Sequence, residues 1–230
     1  MISTLFFDGD QTLWDFDKLM RRVLRQTLAE LRLQRPAPVT DRLGVEAMIE
    51  DRQAVAAELA GRETNLERLR LAAFRRTLTR CELRDDGLAE HLNAFYLERR
   101  FADVELYPDT IPALTTLRRT YTLGLLSNGN SYPERSGLSG IFAVTVFSQD
   151  HGIAKPDRRL YEIAAAEVGA TAETIAMIGD SLVNDVAAAQ AAGWQGIWLN
   201  RESIPCPDLH TPDAEIASLV ELPEAIAKAC

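Results

Sequence analysis

Aromatic residues make up only 7% of this 230-residue chain, it has three cysteines and three histidines, and its 25 basic residues are outnumbered by 34 acidic ones, for a formal charge of −9. Each scarcity excludes something. Cys81, Cys206 and Cys230 are odd in number and lack metal-ligand spacing, which argues against a disulfide-stapled scaffold or a zinc site and predicts reduced thiols. His91, His151 and His210 have no partner spacing and read as structural or surface residues. No apolar run approaches the roughly 18 residues of a membrane span. Asp8 and Asp10 follow Met1 too closely for a cleavable signal peptide, so a cytoplasmic protein with no membrane partner is expected. The acid excess also speaks against a nucleic-acid partner, because phosphates would be repelled. That excess is uneven: residues 15–105 hold 17 basic and 17 acidic residues, leaving eight basic and seventeen acidic residues elsewhere.

With 47% apolar residues, the length allows one large domain or a domain carrying a substantial insert. Residues 3–7 form a short apolar run that stops at Asp8, as a fully buried strand does. From Phe16 to about Phe101 the period becomes helical. Leu66, Leu69, Ala73 and Leu78 form an apolar face among Arg68, Arg70, Arg75 and Arg76. Four helices are expected there, broken near Pro36 and Pro38, Gly61, and Asp85-Asp86-Gly87. After Tyr107-Pro108-Asp109, helices and strands alternate: helices over 110–119, 157–168 and 183–192, and strands over 121–126, 144–147, 174–178 and 195–199. This alternation predicts an α/β fold, a Rossmann-like parallel sheet flanked by helices, with an inserted all-helical segment.

In open sheets of this kind, ligands bind beyond the carboxyl ends of the strands. The polar residues there are Asp8 and Asp10, Ser127 and Asn128, and Asp180 with Asp185 close behind. A parallel topology would bring these carboxylates into one crevice. At about 4 Å and an effective dielectric of 20, each ionised pair costs on the order of 4 kcal/mol, and a few such pairs rival the roughly 5–15 kcal/mol that keeps a protein folded. The cluster therefore needs a cation or protons. All-oxygen ligands favour a hard ion, and a site that also accepts phosphate favours Mg²⁺. Lys155, between Ala154 and Pro156, is expected just ahead of a helix whose first turn holds the proline, a natural place to meet an anion. Taken singly, Lys155 reads as a solvated surface lysine, Ser127 as a turn cap and Asn128 as a left-handed turn residue.

The ordered set Asp8-Gly9-Asp10-Gln11-Thr12, Ser127-Asn128, Lys155-Pro156-Asp157, and Gly179-Asp180 with Asn184-Asp185 resembles the four motifs of the haloacid dehalogenase-like hydrolase superfamily, across almost the whole chain. The resemblance implies a core of residues 1–14 and 104–230, with residues 15–103 as a mobile helical cap. It also implies Mg²⁺-dependent hydrolysis of a small phosphorylated metabolite. Asp8 would form an aspartyl-phosphate, Asp10 would act as acid and base, and Ser127 and the Asn128 backbone N–H would bind the phosphoryl group. Lys155 would hold the nucleophile. The metal would be held by Asp8, Asp10 through its backbone carbonyl, and Asp180, with Asp185 acting through water or by orienting Lys155. Two positions depart from the pattern: Gly9 stands where a larger apolar residue is usual, so a looser loop is expected, and Gln11 replaces the commoner Gly or Asp.

A 2-haloacid dehalogenase would need neither an acid for a halide leaving group nor a divalent metal, which ranks a phosphatase ahead of it. A phosphomutase uses the same residues. A silent phospho-binding module, such as a receiver-like domain, fits less well because receivers are about half as long and lack the insert. Arg21, Arg22 and Arg25 read as a solvated helix face, with a substrate-anion contact as the minor reading. Trp14 and Phe16 read as hinge packing or as stacking surfaces for a base, and Trp14-Asp15-Phe16-Asp17 weakly resembles the nucleotidase branch.

Overall fold

The computed structural model describes residues 1–102, 104–207 and 211–229; His210 and Cys230 lie outside the described residues. The chain divides into two compact units, Met1–Asp15 with Glu105–Cys230, and Phe16–Val104.

The first unit opens with β1 (Thr4–Phe7), buried along its whole length. The second unit follows with α1 (Phe16–Gln34), α2 (Pro38–Arg42), α3 (Val45–Glu58), α4 (Leu66–Arg80) and α5 (Asp86–Ala102). Four long helices match the expected number. The fifth, short helix begins at Pro38, a residue that suits a helix's first position because it has no N–H to leave unpaired. α1 buries Leu19, Val23, Leu24, Leu28 and Leu31 on one stripe, and these pack with Phe74, Leu78, Leu92 and Tyr96 from α4 and α5. One sequence expectation fails here. Arg70 does not belong to the charged outer face of α4: it is 8% exposed.

The first unit resumes with α6 (Thr110–Leu117), β2 (Thr122–Ser127), β3 (Val144–Phe147), α7 (Ser148–His151), α8 (Arg158–Val168) and β4 (Ile175–Gly179). A π-helical segment (Leu182–Ala187), α9 (Ala188–Ala191), β5 (Gln195–Leu199), β6 (Ala214–Ile216) and α10 (Leu222–Ala229) complete it. Among the described residues the six strands are all parallel, in the order β3-β2-β1-β4-β5-β6. Phe7 is in register with Leu125 on one side and Ile178 on the other, so β1, β2 and β4 end within two residues of one another at the same edge of the sheet. The chain crosses from one side of β1 to the other between β2 and β4, the arrangement that leaves a crevice at the carboxyl edge. Phe6, Leu126, Val146, Tyr161, Met177 and Trp194 form a core against the sheet.

The helix expected over 183–192 is divided. The Ser181 carbonyl accepts from both Asp185 N (2.9 Å) and Val186 N (3.2 Å), widening the first turn into a π segment before α9 continues. Strand β6, α7 and α10 were not foreseen; β6 has only three residues, too few to show a period. Among the described residues, no helix is long and apolar enough to cross a membrane.

Candidate active site

Asp8 leaves β1 with its N–H bonded to the Ile178 carbonyl (2.9 Å), which keeps the chain beside β4 for one more residue. The backbone then curls: Thr12 N (3.2 Å) and Leu13 N (2.8 Å) both donate to the Gly9 carbonyl, and Gln11 takes a left-handed φ of 63°. That conformation explains why a Gly or Asp is easier at position 11, since a longer side chain pays a steric cost there. The curl brings Trp14, 1% exposed, over Gly9. A Cβ on Gly9 would meet Trp14 Cζ2 at 2.5 Å, so the larger apolar residue usual at this position has no room. The loop is not loosened by Gly9; the indole fills the space and its Nε1 donates to Asp10 Oδ1 at 2.7 Å. Trp14 is thus packed and hydrogen-bonded, which overturns its reading as a surface for stacking a base. The other Asp10 oxygen faces Gly129, where an added Cβ would lie 3.0 Å from Oδ2 and 3.2 Å from Ser127 Oγ.

Ser127, the last residue of β2, is buried, and its hydroxyl accepts from Gly129 N (3.0 Å), the turn-capping role. Asn128 is committed to Lys155: its Nδ2 donates to the Lys155 carbonyl (2.9 Å) and its Oδ1 accepts from Lys155 N (2.8 Å). This two-point clamp, rather than a helix terminus, positions the lysine. α8 begins at Arg158 with the Asp157 side chain accepting from Arg159 N (3.0 Å), so Pro156 lies outside the first turn where the sequence had placed it.

Lys155 is no surface residue. Its ammonium is buried and bonded to Asp8 Oδ1 (2.7 Å) and Asp185 Oδ1 (2.6 Å). Burial opposes its charge, but the two carboxylates outweigh that and raise its pKa. The second Asp185 oxygen accepts from Ser181 N (3.0 Å), so both are engaged within the protein. Gly179 makes this possible, because a side chain there would collide with the Asp185 carboxylate. Burial pushes the Asp185 pKa up, against the pull of Lys155.

Asp180 completes the group. One oxygen from each of Asp8, Asp180 and Asp185 lies within 4.8 Å of the others. Desolvation and then repulsion from Asp8 and Asp185 push the Asp180 carboxyl up to about 7. Three carboxylates and one ammonium leave two negative charges, the charge of one divalent cation. The donors are all oxygen, as Mg²⁺ requires. Asp8 and Asp180 fit as ligands, while Asp185 is occupied with Lys155 and Ser181. The Asp10 carboxylate faces Trp14 and Gly129, so any metal contact from this residue would fall to its backbone.

Several supporting residues gave no signal in the sequence. Trp198 Nε1 holds the Asp180 carbonyl (2.9 Å), and Tyr161 donates its hydroxyl to the Asn184 carbonyl. Arg201 donates to the Thr12 carbonyl (2.8 Å) while paired with Asp109 (3.0 Å), tying the loop after β1 to the turn after β5, 189 residues later in the chain. In the other unit Arg21 pairs with Asp17 (2.8 Å) and Glu46 (2.6 Å), and Arg25 is exposed, as a solvated helix face requires, whereas Arg22 departs from that reading and buries its Nε. His91 bonds Glu30 (2.8 Å) at the surface.

A parallel α/β sheet with a carboxylate directly after its central strand, a second two residues on, and a buried lysine between two aspartates points to a class of hydrolase. A family model described as haloacid dehalogenase-like hydrolase matches residues 2–193, and the chain belongs to that family. It is 28% identical over 239 residues to glyceraldehyde 3-phosphate phosphatase of Methanopyrus kandleri, covering 98% of this chain and 97% of that protein. It is 33% identical over 155 residues to phosphoserine phosphatase of Thermus thermophilus, covering 65% of this chain and 61% of that one. In structure it is similar to a 2-haloacid dehalogenase from Pseudomonas syringae, with a TM-score of 0.82, 30% identity and full coverage of both chains.

Proposed function

We propose that this hydrolase is a Mg²⁺-dependent phosphatase that acts in the cytoplasm on a small phosphate monoester through an aspartyl-phosphate. The observation that carries the reading is the Asp10 carboxylate, tethered by Trp14 at 2.7 Å and set two residues beyond Asp8. An alkoxide is a poor leaving group and needs a proton; a halide does not.

In the first step an Asp8 oxygen attacks phosphorus and the ester P–O bond breaks, while Asp10 gives its proton to the departing oxygen. In the second, Asp10 takes a proton from water as that water attacks phosphorus, the bond to Asp8 breaks, and inorganic phosphate leaves. Lys155 holds Asp8 Oδ1 and so fixes which oxygen faces the substrate. Ser127 and the Asn128 backbone N–H bind the phosphoryl oxygens. Asp185 orients Lys155. Mg²⁺, held by Asp8, Asp180 and the Asp10 carbonyl, would supply positive charge that lets a carboxylate approach an anion. We assign the helical unit, residues 15–103 in the sequence reading, the substrate-selecting role that the family resemblance implies.

A 2-haloacid dehalogenase is the second reading, favoured by the likeness in structure to the Pseudomonas syringae protein. Release of phosphate from p-nitrophenyl phosphate, abolished by chelation and restored by Mg²⁺, is expected, with no halide released from 2-chloropropionate. Metal-independent halide release without phosphate release would reverse the assignment.

A further inference from the structure

Two arginines of the helical unit lie near enough to repel each other, and neither is bonded to an acid among the described residues. Arg70 on α4 is 8% exposed, and its guanidinium lies 4.4 Å from the centroid of the Tyr96 ring. Arg52 on α3 is half-buried. Neither makes a hydrogen bond or ion pair among the described residues. The buried carboxylate closest in sequence, Asp51, is fully engaged by Thr77 (2.9 Å) and Arg80 (2.8 Å). The Tyr96 hydroxyl is itself buried with no hydrogen-bond partner. Burial and the charge of Arg70 lower the Arg52 pKa to about 10, and burial, with Arg100 adding to it, lowers that of Arg70.

Stacking does not settle this arrangement. A ring beneath a guanidinium leaves its in-plane N–H donors without an acceptor. The buried Tyr96 hydroxyl likewise lacks an acceptor. Two guanidinium groups and a phenol that lack an acceptor are complementary to one ligand chemistry, a group with several anionic oxygens, which guanidinium binds in bidentate fashion.

We infer that Arg52, Arg70 and the Tyr96 hydroxyl form a binding site for a small oxyanion, a carboxylate or phosphate group, within the helical unit. The ring of Tyr96 supports the Arg70 guanidinium from one face and leaves its edge for the ligand. Arg52, the more exposed of the pair, is the side of entry. The oxyanion is either a second anionic group of the substrate, in which case this point rests on the phosphatase reading, or a separate ion.

The test is the response of the arginine Nε–H signals of the full chain, by ¹⁵N NMR, to malonate and to inorganic phosphate. The signals are assigned through Arg52→Lys and Arg70→Lys. At least one of the two anions is expected to shift both signals saturably and raise Tm, with the response weakened about tenfold or more in Arg70→Met, the loss of a charge-assisted contact. The exposed control Arg68→Met should respond as the wild type does. Should Arg70→Met fail to fold, Arg52→Met at the half-buried position takes its place. Signals that do not move saturably with either anion, or an unaltered response in the folded variant, overturn the inference. This readout needs no turnover, so it stands apart from failure of the phosphatase assignment. Ethyl phosphate and 2-phosphoglycolate, which differ by one carboxylate, identify the source. A roughly tenfold loss of preference for the carboxylated ester in the variant marks the substrate's own group. An unchanged preference, with malonate altering wild-type turnover of both esters and not that of the variant, marks a separate ion.

Discussion

Trp14 Nε1 donates to Asp10 Oδ1 at 2.7 Å, and the indole can do so only because Gly9 has no side chain to occupy the same space. The acid of the proposed mechanism is therefore held by a tryptophan four residues along its own loop. Trp14→Phe keeps the ring and removes the donor. It is expected to slow hydrolysis of alkyl phosphates about tenfold, and that of p-nitrophenyl phosphate much less, because only the former needs a well-placed proton. Equal slowing for both leaving groups would show that the tether is structural alone.

Gly9→Ala should destabilise the fold by about 1–3 kcal/mol, the usual cost of overpacking. Combining it with Trp14→Ala should cost less than the two single changes together, since the clash disappears with the indole. Urea denaturation of the four proteins of that cycle measures the coupling; additivity would count against the packing account.

Lys155→Met leaves the buried Asp185 carboxylate without its cation, and a loss of about 3–5 kcal/mol is expected. Asn128→Ala removes two hydrogen bonds to the Lys155 backbone, at about 1 kcal/mol each. It should lower kcat more than stability, because it frees the lysine without removing its charge. A stability loss with kcat intact would assign the clamp to folding only.

Asp8→Ala should fold and bind Mg²⁺ less tightly, form no phosphoenzyme, and turn over no substrate. Wild-type-like activity in the folded variant would refute the nucleophile assignment.

For the metal-free protein the sign of the pH dependence follows from Asp180, pushed up to about 7 by desolvation and by Asp8 and Asp185, above the value of about 3.9 in an unfolded chain. Between those values the folded state holds more protons than the unfolded state. The contribution is fully present below about pH 4 and is lost as pH rises through about 7. Mg²⁺ can take the proton's place, so the gain in Tm at saturating Mg²⁺ should grow from about pH 5 to pH 8. A gain that shrinks over that range would exclude Asp180 from the metal site.

The sequence by itself determined the order of the first five strands and of the helices over 110–119 and 157–168, the switch to helical period from Phe16 to about Phe101, and the placing of Asp8, Ser127 and Asp180 at strand ends. Those features are local: a buried strand is a run of apolar residues that stops, and a helix repeats its apolar stripe every turn. Tertiary structure alone decided the rest. That Asn128 would clamp Lys155, that Trp14 would displace the usual side chain above Gly9 and bind Asp10, that the second Asp185 oxygen would accept from Ser181 N, and that Arg70 would turn inward were not in any local pattern. Each depends on which distant atoms share a buried volume, and a hydrogen bond or an uncompensated charge acquires its energy only once water has been removed from around it.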